Sequence, residues 1–151
     1  MLDTFEEILD FAIGEEQAAA DFYRLLAAKM ERSAMRKVFE EFARDEEGHK
    51  AKLLQVKEGK DPFAPRGKVL DLKIAEQLKK VDPFSAEMDY QQALVVAMKK
   101  EKAAFVLYTH LAEAAKDEKL RGVFQALAQE EAKHKLRFEI EYDENVFADP
   151  Y

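Results

Sequence analysis

Two stretches of the sequence repeat one another at a distance of 85 residues, in a pattern typical of helices. The run ARDEEGHKAKL (43–53) matches AQEEAKHKLRF (128–138), which aligns His49 with His134. Within these runs the same shift also aligns Ala43 with Ala128 and Glu46 with Glu131. Outside them it aligns further pairs, which are Glu16–Glu101, Ala19–Ala104, Tyr23–Tyr108, Leu26–Leu111 and Phe39–Phe124. The repeat therefore indicates two related halves, each carrying the same pattern of residues.

Apolar residues recur at helical spacing in four segments that short turns join in pairs. The first helix is expected to start at a capping box of Thr4 with Glu7 and to span about 4–29; the others span about 34–58, 86–115 and 117–142. Three of the four prolines fall in residues 60–84, so we expect a crossover over about 60–85, where VLDLKIAEQLKK could add a short helix. The prediction is a single all-α domain over residues 1–151, a four-helix bundle of two antiparallel helix hairpins joined by a long crossover.

Composition excludes several classes of function. The net charge of −7 argues against nucleic acid and anionic membrane as partners. The chain has no cysteine, which rules out disulfides, thiolate metal sites and cysteine nucleophiles. The acidic start MLDTFEEIL lacks the features of a signal peptide, and no apolar run is long enough for a membrane-spanning helix. We expect a cytoplasmic protein.

The repeat selects a set of acids and histidines whose side chains are expected to face the core of the bundle. Glu46 and His49 point within about 60° of each other, one turn apart, in the apolar stripe of the second helix. Glu47, by contrast, aligns with Ala132 and points away from that stripe. The residues selected in this way as metal ligands are Glu16, Glu46, His49, Glu101, Glu131 and His134.

Buried acids of this kind require a counter-charge. An unpaired carboxylate in an apolar interior costs several kcal/mol, so four of them would oppose folding. Two divalent cations balance four Glu, and two neutral His complete the ligation. Oxygen and imidazole ligands suit iron or manganese better than magnesium or calcium, and zinc stays open. We predict a site for two iron ions, with no catalytic residues beyond the ligands.

Four further residues are expected to support the ligands. Asp45 and Glu130 each precede a ligand Glu, and we predict that Asp45 accepts a hydrogen bond from His134 and Glu130 one from His49. Tyr23 and Tyr108 lie two turns beyond Glu16 and Glu101 on the same face, within reach of a ligand carboxylate.

Simpler interpretations apply to most of these residues taken singly. One Glu-x-x-His on a charge-rich helix is most often an exposed coincidence, and a Tyr in an apolar stripe is usually part of the core. His110 aligns with Leu25, and we interpret it as a surface residue. The six-residue set differs because the helix faces and the repeat select it independently.

The stretches EQAAADFY (16–23), EEGH (46–49), EKAAFVLY (101–108) and EAKH (131–134) resemble the rubrerythrin branch of the ferritin-like proteins. The resemblance implies a ferritin-like bundle, a homodimer, and a di-iron centre, bridged here by Glu46 and Glu131, that reacts with hydrogen peroxide or dioxygen. Rubrerythrins carry a four-cysteine iron domain that this cysteine-free chain lacks, so a peroxidase would need an external electron-donor protein. The apolar tail residues Phe147 and Tyr151 also favour dimerisation.

One position departs from the rubrerythrin pattern. Rubrerythrins place a further Glu three residues after the third-helix ligand, where this chain has Ala104. The first hypothesis is a di-iron peroxidase. The alternatives are ferroxidase or iron handling, a metal-binding protein without turnover, a structural bundle with zinc or no metal, and an oxidase or oxygenase of an organic substrate.

Overall fold

The computed structural model describes residues 4–59 and 88–145 of the chain. The chain forms two compact units, residues 1–69 (unit 1) and 70–151 (unit 2), and the described part of each is a pair of helices. The predicted crossover with its short helix, and the tail with Phe147 and Tyr151, lie outside the described residues. Among the helices that the structure describes, none is long and apolar enough to cross a membrane.

Unit 1 is a hairpin of α1 (Phe5–Lys29) and α2 (Ser33–Gly59). The predicted capping box is present: the Thr4 hydroxyl accepts from the Glu7 amide at 3.1 Å, and Glu7 accepts from the Thr4 amide at 3.1 Å. The turn is fixed by Arg36, whose guanidinium donates to the Met30 carbonyl at 2.6 and 3.2 Å. Because only three residues separate the helices, α2 returns antiparallel to α1.

Polar side chains link the two helices of unit 1 along their length. The Arg24 guanidinium donates to both carboxylate oxygens of Glu47 at 2.6 and 2.5 Å. The ammonium groups of two lysines reach back to α1; these bonds are Lys50 to Gln17 at 2.7 Å and Lys57 to Asp10 at 2.6 Å. The buried apolar residues between the helices include Ile8, Leu9, Ala12, Leu26, Met35, Phe39 and Leu53.

Unit 2 is a hairpin of α3 (Tyr90–Ala114) and α4 (Glu118–Asn145). The helix α3 begins at Tyr90, because the Asp89 carboxylate accepts from the Gln92 amide at 2.8 Å and so caps the helix. Arg121 donates to the Ala115 carbonyl at 3.1 Å and repeats the role of Arg36, 85 residues earlier. The buried apolar residues include Leu94, Ala97, Leu107, Leu111, Phe124, Leu127 and Phe138.

Candidate metal centre

The six predicted ligands are all buried. Each is exposed by 8% or less; the set is Glu16 (2%), Glu46 (1%), His49 (8%), Glu101 (2%), Glu131 (1%) and His134 (2%). Four acids at this depth are unusual, because Glu is almost never fully buried unless it is paired or binds a metal. Each unit contributes three of the six.

In unit 1 the helices bring one ligand from α1 beside two from α2. The Nδ1 atom of His49 lies 3.5 Å from Glu16 Oε2 and 3.4 Å from Glu46 Oε1. One candidate ligand atom of each residue lies within 4.8 Å of the other two. We call these three residues cluster 1.

Unit 2 repeats the arrangement with one ligand from α3 and two from α4. The Nδ1 atom of His134 lies 3.6 Å from Glu101 Oε2 and 3.9 Å from Glu131 Oε1. Their candidate ligand atoms also lie within 4.8 Å of one another. We call these three residues cluster 2.

The spacing within the clusters fits a shared cation better than it fits direct hydrogen bonds. An N–H···O bond has its heavy atoms about 2.7–3.2 Å apart, which is shorter than all four distances. Two ligands bound to one ion at about 2.1 Å, with an angle between 90° and 109°, are separated by about 3.0–3.4 Å. Cluster 1 is close to this spacing, and cluster 2 is somewhat wider. Two carboxylates and one imidazole in each cluster match the donor preference of iron and manganese.

The neighbouring acid Glu47 shows that the repeat separated core acids from surface acids correctly. Its side chain is 44% exposed and pairs with Arg24, which is 45% exposed. The hydrogen bonds from Arg24 lower the pKa of Glu47. Glu47 therefore belongs to the surface of unit 1 and not to cluster 1.

The two predicted supporting tyrosines are fully buried. Tyr23 is 0% exposed, and its ring packs edge-on against Phe42 at a centroid distance of 6.4 Å. Tyr108 is 1% exposed and stacks on Phe124 at 6.4 Å. Both therefore have a packing role, and their hydrogen bonds to ligand carboxylates remain predictions.

The two predicted supporting acids are less buried than the ligands. Asp45 and Glu130 are both of intermediate exposure, and Glu130 also lies 3.4 Å from the ammonium group of Lys133. Their predicted bonds to His134 and His49 remain predictions. His110 is 37% exposed, 3.8 Å from Glu113, at the surface of unit 2 as expected.

One buried acid and its hydrogen-bond partner were missed by the sequence reasoning. Glu141 is 1% exposed and accepts a hydrogen bond from the Tyr90 hydroxyl. The helical periodicity of α4 could have identified Glu141 as a core residue. Glu141 follows His134 by seven residues and so lies on nearly the same face of the helix. The repeat gave no indication of the pair, because Glu141 and Tyr90 align with the apolar residues Val56 and Phe5.

The comparisons with known proteins agree with this geometry. The sequence model of the rubrerythrin family matches residues 7–90 and 92–146. A hypothetical protein from Pyrococcus furiosus has a similar structure, with a TM-score of 0.73 and 24% identity, covering 97% of this chain and 92% of that chain. A proposed ferritin-like diiron-carboxylate protein from Thermotoga maritima is similar with a TM-score of 0.71 and 19% identity, covering 95% and 96%.

These similarities confirm the predicted fold class, an all-α, ferritin-like four-helix bundle. No curated protein matches the sequence significantly.

Proposed function

The chain belongs to the rubrerythrin family, and on this basis we propose that it is a non-haem di-iron oxidoreductase that reduces hydrogen peroxide. The observation that carries the proposal is the presence of two buried Glu–Glu–His clusters. A protein without a metal to hold gains nothing from burying four acids beside two histidines, because their desolvation opposes folding.

Each cluster would hold one iron ion. In cluster 1 the carboxylates of Glu16 and Glu46 supply two negative charges, which balance one Fe(II), and neutral His49 completes the set. Glu101, Glu131 and His134 do the same in cluster 2. Because the donor atoms lie on helices packed against one another, their positions are fixed before the ion binds, and little conformational entropy is lost on binding.

The chemistry requires two electrons and two protons for each peroxide reduced to two waters. Two bound irons, each passing between Fe(II) and Fe(III), supply those electrons when they are present. Repeated turnover also requires reductant, and the proposal includes an electron-donor protein that returns the ions to Fe(II).

Stopped-flow oxidation of the reconstituted protein tests the proposal. The protein is loaded anaerobically with two Fe(II) per chain and mixed with peroxide or, separately, with dioxygen. We expect peroxide to oxidise the bound iron faster than it oxidises free Fe(II) and faster than dioxygen does. A peroxide rate no greater than that of free Fe(II) contradicts the enzymatic proposal.

Neighbouring acids on α2 provide a matched pair of variants. Glu46→Gln removes a carboxylate from cluster 1 without changing its shape, and we expect it to abolish the fast reaction. Glu47→Gln makes the same chemical change at an exposed position and is expected to react like the parent. Equal rates of iron oxidation by peroxide in the two variants would show that the fast reaction does not depend on cluster 1.

Ala104 favours a second candidate, iron oxidation and handling without preference for peroxide. Rubrerythrins proper carry an additional Glu at this position, and its replacement by Ala leaves the two clusters with the same set of ligands. If the protein oxidises and handles iron in this way, we expect dioxygen to oxidise the bound iron at least as fast as peroxide does. The same stopped-flow experiment therefore separates the two functions.

A further inference from the structure

Glu141 is a buried acid that neither cluster uses. Seven acids and histidines are buried in the part of the chain that the structure describes, and six of them are the predicted ligands. The seventh, Glu141, is 1% exposed and accepts a hydrogen bond from the hydroxyl of Tyr90, the first residue of α3. Tyr90 is of intermediate exposure, so the pair lies where the interior of unit 2 meets solvent.

The repeat shows that the fold does not require this polar pair. The aligned positions of unit 1 hold Phe5 and Val56, two apolar side chains. Burying an acid costs free energy that an apolar side chain does not cost, and replacing buried charged groups by apolar ones is often stabilising. The pair in unit 2 therefore needs an explanation other than packing.

The pair lies on the same faces of α3 and α4 as the ligands of cluster 2. On α3, Tyr90 precedes Glu101 by 11 residues, which at 100° per residue brings both within about 20° of one direction. On α4, Glu141 follows His134 by seven residues, at an angle of about 20° and about 10 Å along the helix axis. The buried residues between the pair and cluster 2 on these faces are apolar and 0% exposed; they are Leu94, Ala97 and Phe138.

An apolar path of this kind conducts electrons but not protons. Proton transfer needs a chain of hydrogen-bonded groups or waters, and a buried water needs polar partners that these side chains do not supply. An electron, by contrast, tunnels through packed protein without such a chain. An electron that leaves Tyr90 towards cluster 2 must therefore leave its proton behind, and the Glu141 carboxylate already accepts a hydrogen bond from the phenol.

Tyr108 lies on the same side of α3 but is less suited to this role. Its predicted acceptor is a ligand carboxylate, and a carboxylate that binds a metal ion must stay deprotonated. Glu141 is not one of the predicted ligands, so its carboxylate can take the proton while iron is bound.

From this arrangement we infer that Tyr90 supplies one electron to cluster 2 while its phenolic proton moves to Glu141. The inference rests on the proposed function, since peroxide is the oxidant. It applies to a chain with iron in cluster 2 alone, where one Fe(II) supplies only one of the two electrons that peroxide needs. A phenol is a much weaker acid than a carboxylic acid, so the proton stays on Tyr90 until the electron leaves.

The electrons and protons of this reaction balance. Peroxide takes one electron from Fe(II), one electron from Tyr90 and two protons from solvent; its O–O bond breaks and two waters form. The products on the protein are Fe(III), a neutral Tyr90 phenoxyl radical and protonated Glu141. The electron-donor protein then returns two electrons, and the proton on Glu141 returns to the Tyr90 oxygen. Tyr90 thereby prevents the release of a hydroxyl radical, which forms when peroxide receives only one electron.

Rapid-freeze EPR of a variant loaded at one cluster tests the inference. Glu16→Gln removes a ligand from cluster 1, so that one anaerobic equivalent of Fe(II) is confined to cluster 2. We expect peroxide to produce a tyrosyl radical in this variant, with a yield approaching one per chain. The parent loaded with two Fe(II) should give little radical, because both electrons then come from iron.

Two tyrosines close in space to Glu141 or in sequence to it provide a matched pair of variants. In the Glu16→Gln background, Tyr90→Phe should abolish the radical. Tyr142→Phe makes the same change beside Glu141 in the sequence, at a hydroxyl that accepts from Gln91 at 3.3 Å, and should retain it. Binding of one Co(II) per chain by each variant shows that cluster 2 is intact.

Glu141→Gln separates a proton acceptor from a hydrogen-bond acceptor. The amide keeps the size of the side chain and can still accept from Tyr90, but it does not take up the proton. We expect radical formation to slow by about 100-fold, a typical effect of removing a positioned base. With Glu141 in place, radical formation should be slower in D2O than in H2O, because the proton moves with the electron. A pair that only packs would show neither effect.

Two results overturn the inference. One is the absence of a radical from iron-loaded Glu16→Gln after peroxide is added. The other is a radical that persists in Tyr90→Phe, because the electron then comes from another side chain. The radical signal decides the inference, and the stopped-flow rate of the parent with two Fe(II) decides the proposed function, so the two can fail separately.

Discussion

Replacing Glu46 by Gln should remove about half of the stabilisation that metal ions give this protein. Glu46 is 1% exposed, and its Oε1 atom lies 3.4 Å from the His49 ring nitrogen. The amide keeps the size of the side chain but removes one of the two charges that balance the ion in cluster 1. Cluster 2, with Glu101, Glu131 and His134, retains its own ligands.

The size of the effect follows from binding linkage. An ion that binds only the folded state stabilises it by about 2.7 kcal/mol when its free concentration is 100 times the dissociation constant. Two such ions give about 5.4 kcal/mol, which for a chain of this length corresponds to a rise in Tm of about 11–22 °C. With cluster 1 disabled, we expect about half of that rise.

Anaerobic differential scanning calorimetry with and without Fe(II) measures the difference directly. The comparison uses the rise in Tm within each variant, so any change in the stability of the metal-free protein cancels. Glu47→Gln is the control and should show the full rise, since its carboxylate pairs with Arg24 at the surface. A full rise in Glu46→Gln would refute the assignment of Glu46 as a ligand.

Two further predictions concern other contacts. The pKa of Glu47 is lowered chiefly by its hydrogen bonds from Arg24, so Arg24→Met should raise that pKa, as measured by NMR titration of the carboxyl carbon. Because the folded pKa is depressed, the stabilising effect of the pair is present above the unfolded pKa and is lost as the pH falls through the folded pKa. Tyr90→Phe removes the hydrogen bond to buried Glu141 and should lower the free energy of unfolding by about 1–3 kcal/mol in urea denaturation. An unchanged pKa in the first case, or an unchanged midpoint in the second, contradicts the role given to each contact.

The sequence was informative where one physical constraint acts on both halves of the chain. His49 and His134 are the clearest case, because each needs an acid one turn earlier and another on the preceding helix. The same pattern occurs twice at a spacing of 85 residues, and this spacing led to the six residues that the structure places in two clusters. The sequence repeat also includes the turns, where Arg36 and Arg121 each donate a hydrogen bond to a backbone carbonyl at an aligned position.

Features that belong to only one half could not be found from the repeat. Glu141 and Tyr90 form their pair in unit 2 alone, so alignment with Val56 and Phe5 gave no signal. The first residue of α3 is set by a local contact, since the Asp89 side chain accepts from the free Gln92 amide and caps the helix.

The predicted bonds of Asp45 and Glu130 show a different limit. Such bonds depend on the positions of residues that are far apart in sequence, and helical periodicity fixes only the direction of a side chain around its own axis. The repeat places Asp45 and Glu130 at aligned positions, and this does not determine which histidine each of them contacts.

We propose that two iron ions are bound by six buried residues, which are Glu16, Glu46, His49, Glu101, Glu131 and His134. Crystals grown from the Fe(II)-loaded protein and measured at the iron absorption edge test it most directly. We expect two anomalous peaks per chain, each within about 2.0–2.3 Å of donor atoms from one cluster. Absence of a peak at either cluster, or iron bound only by surface acids such as Glu47, would contradict the claim.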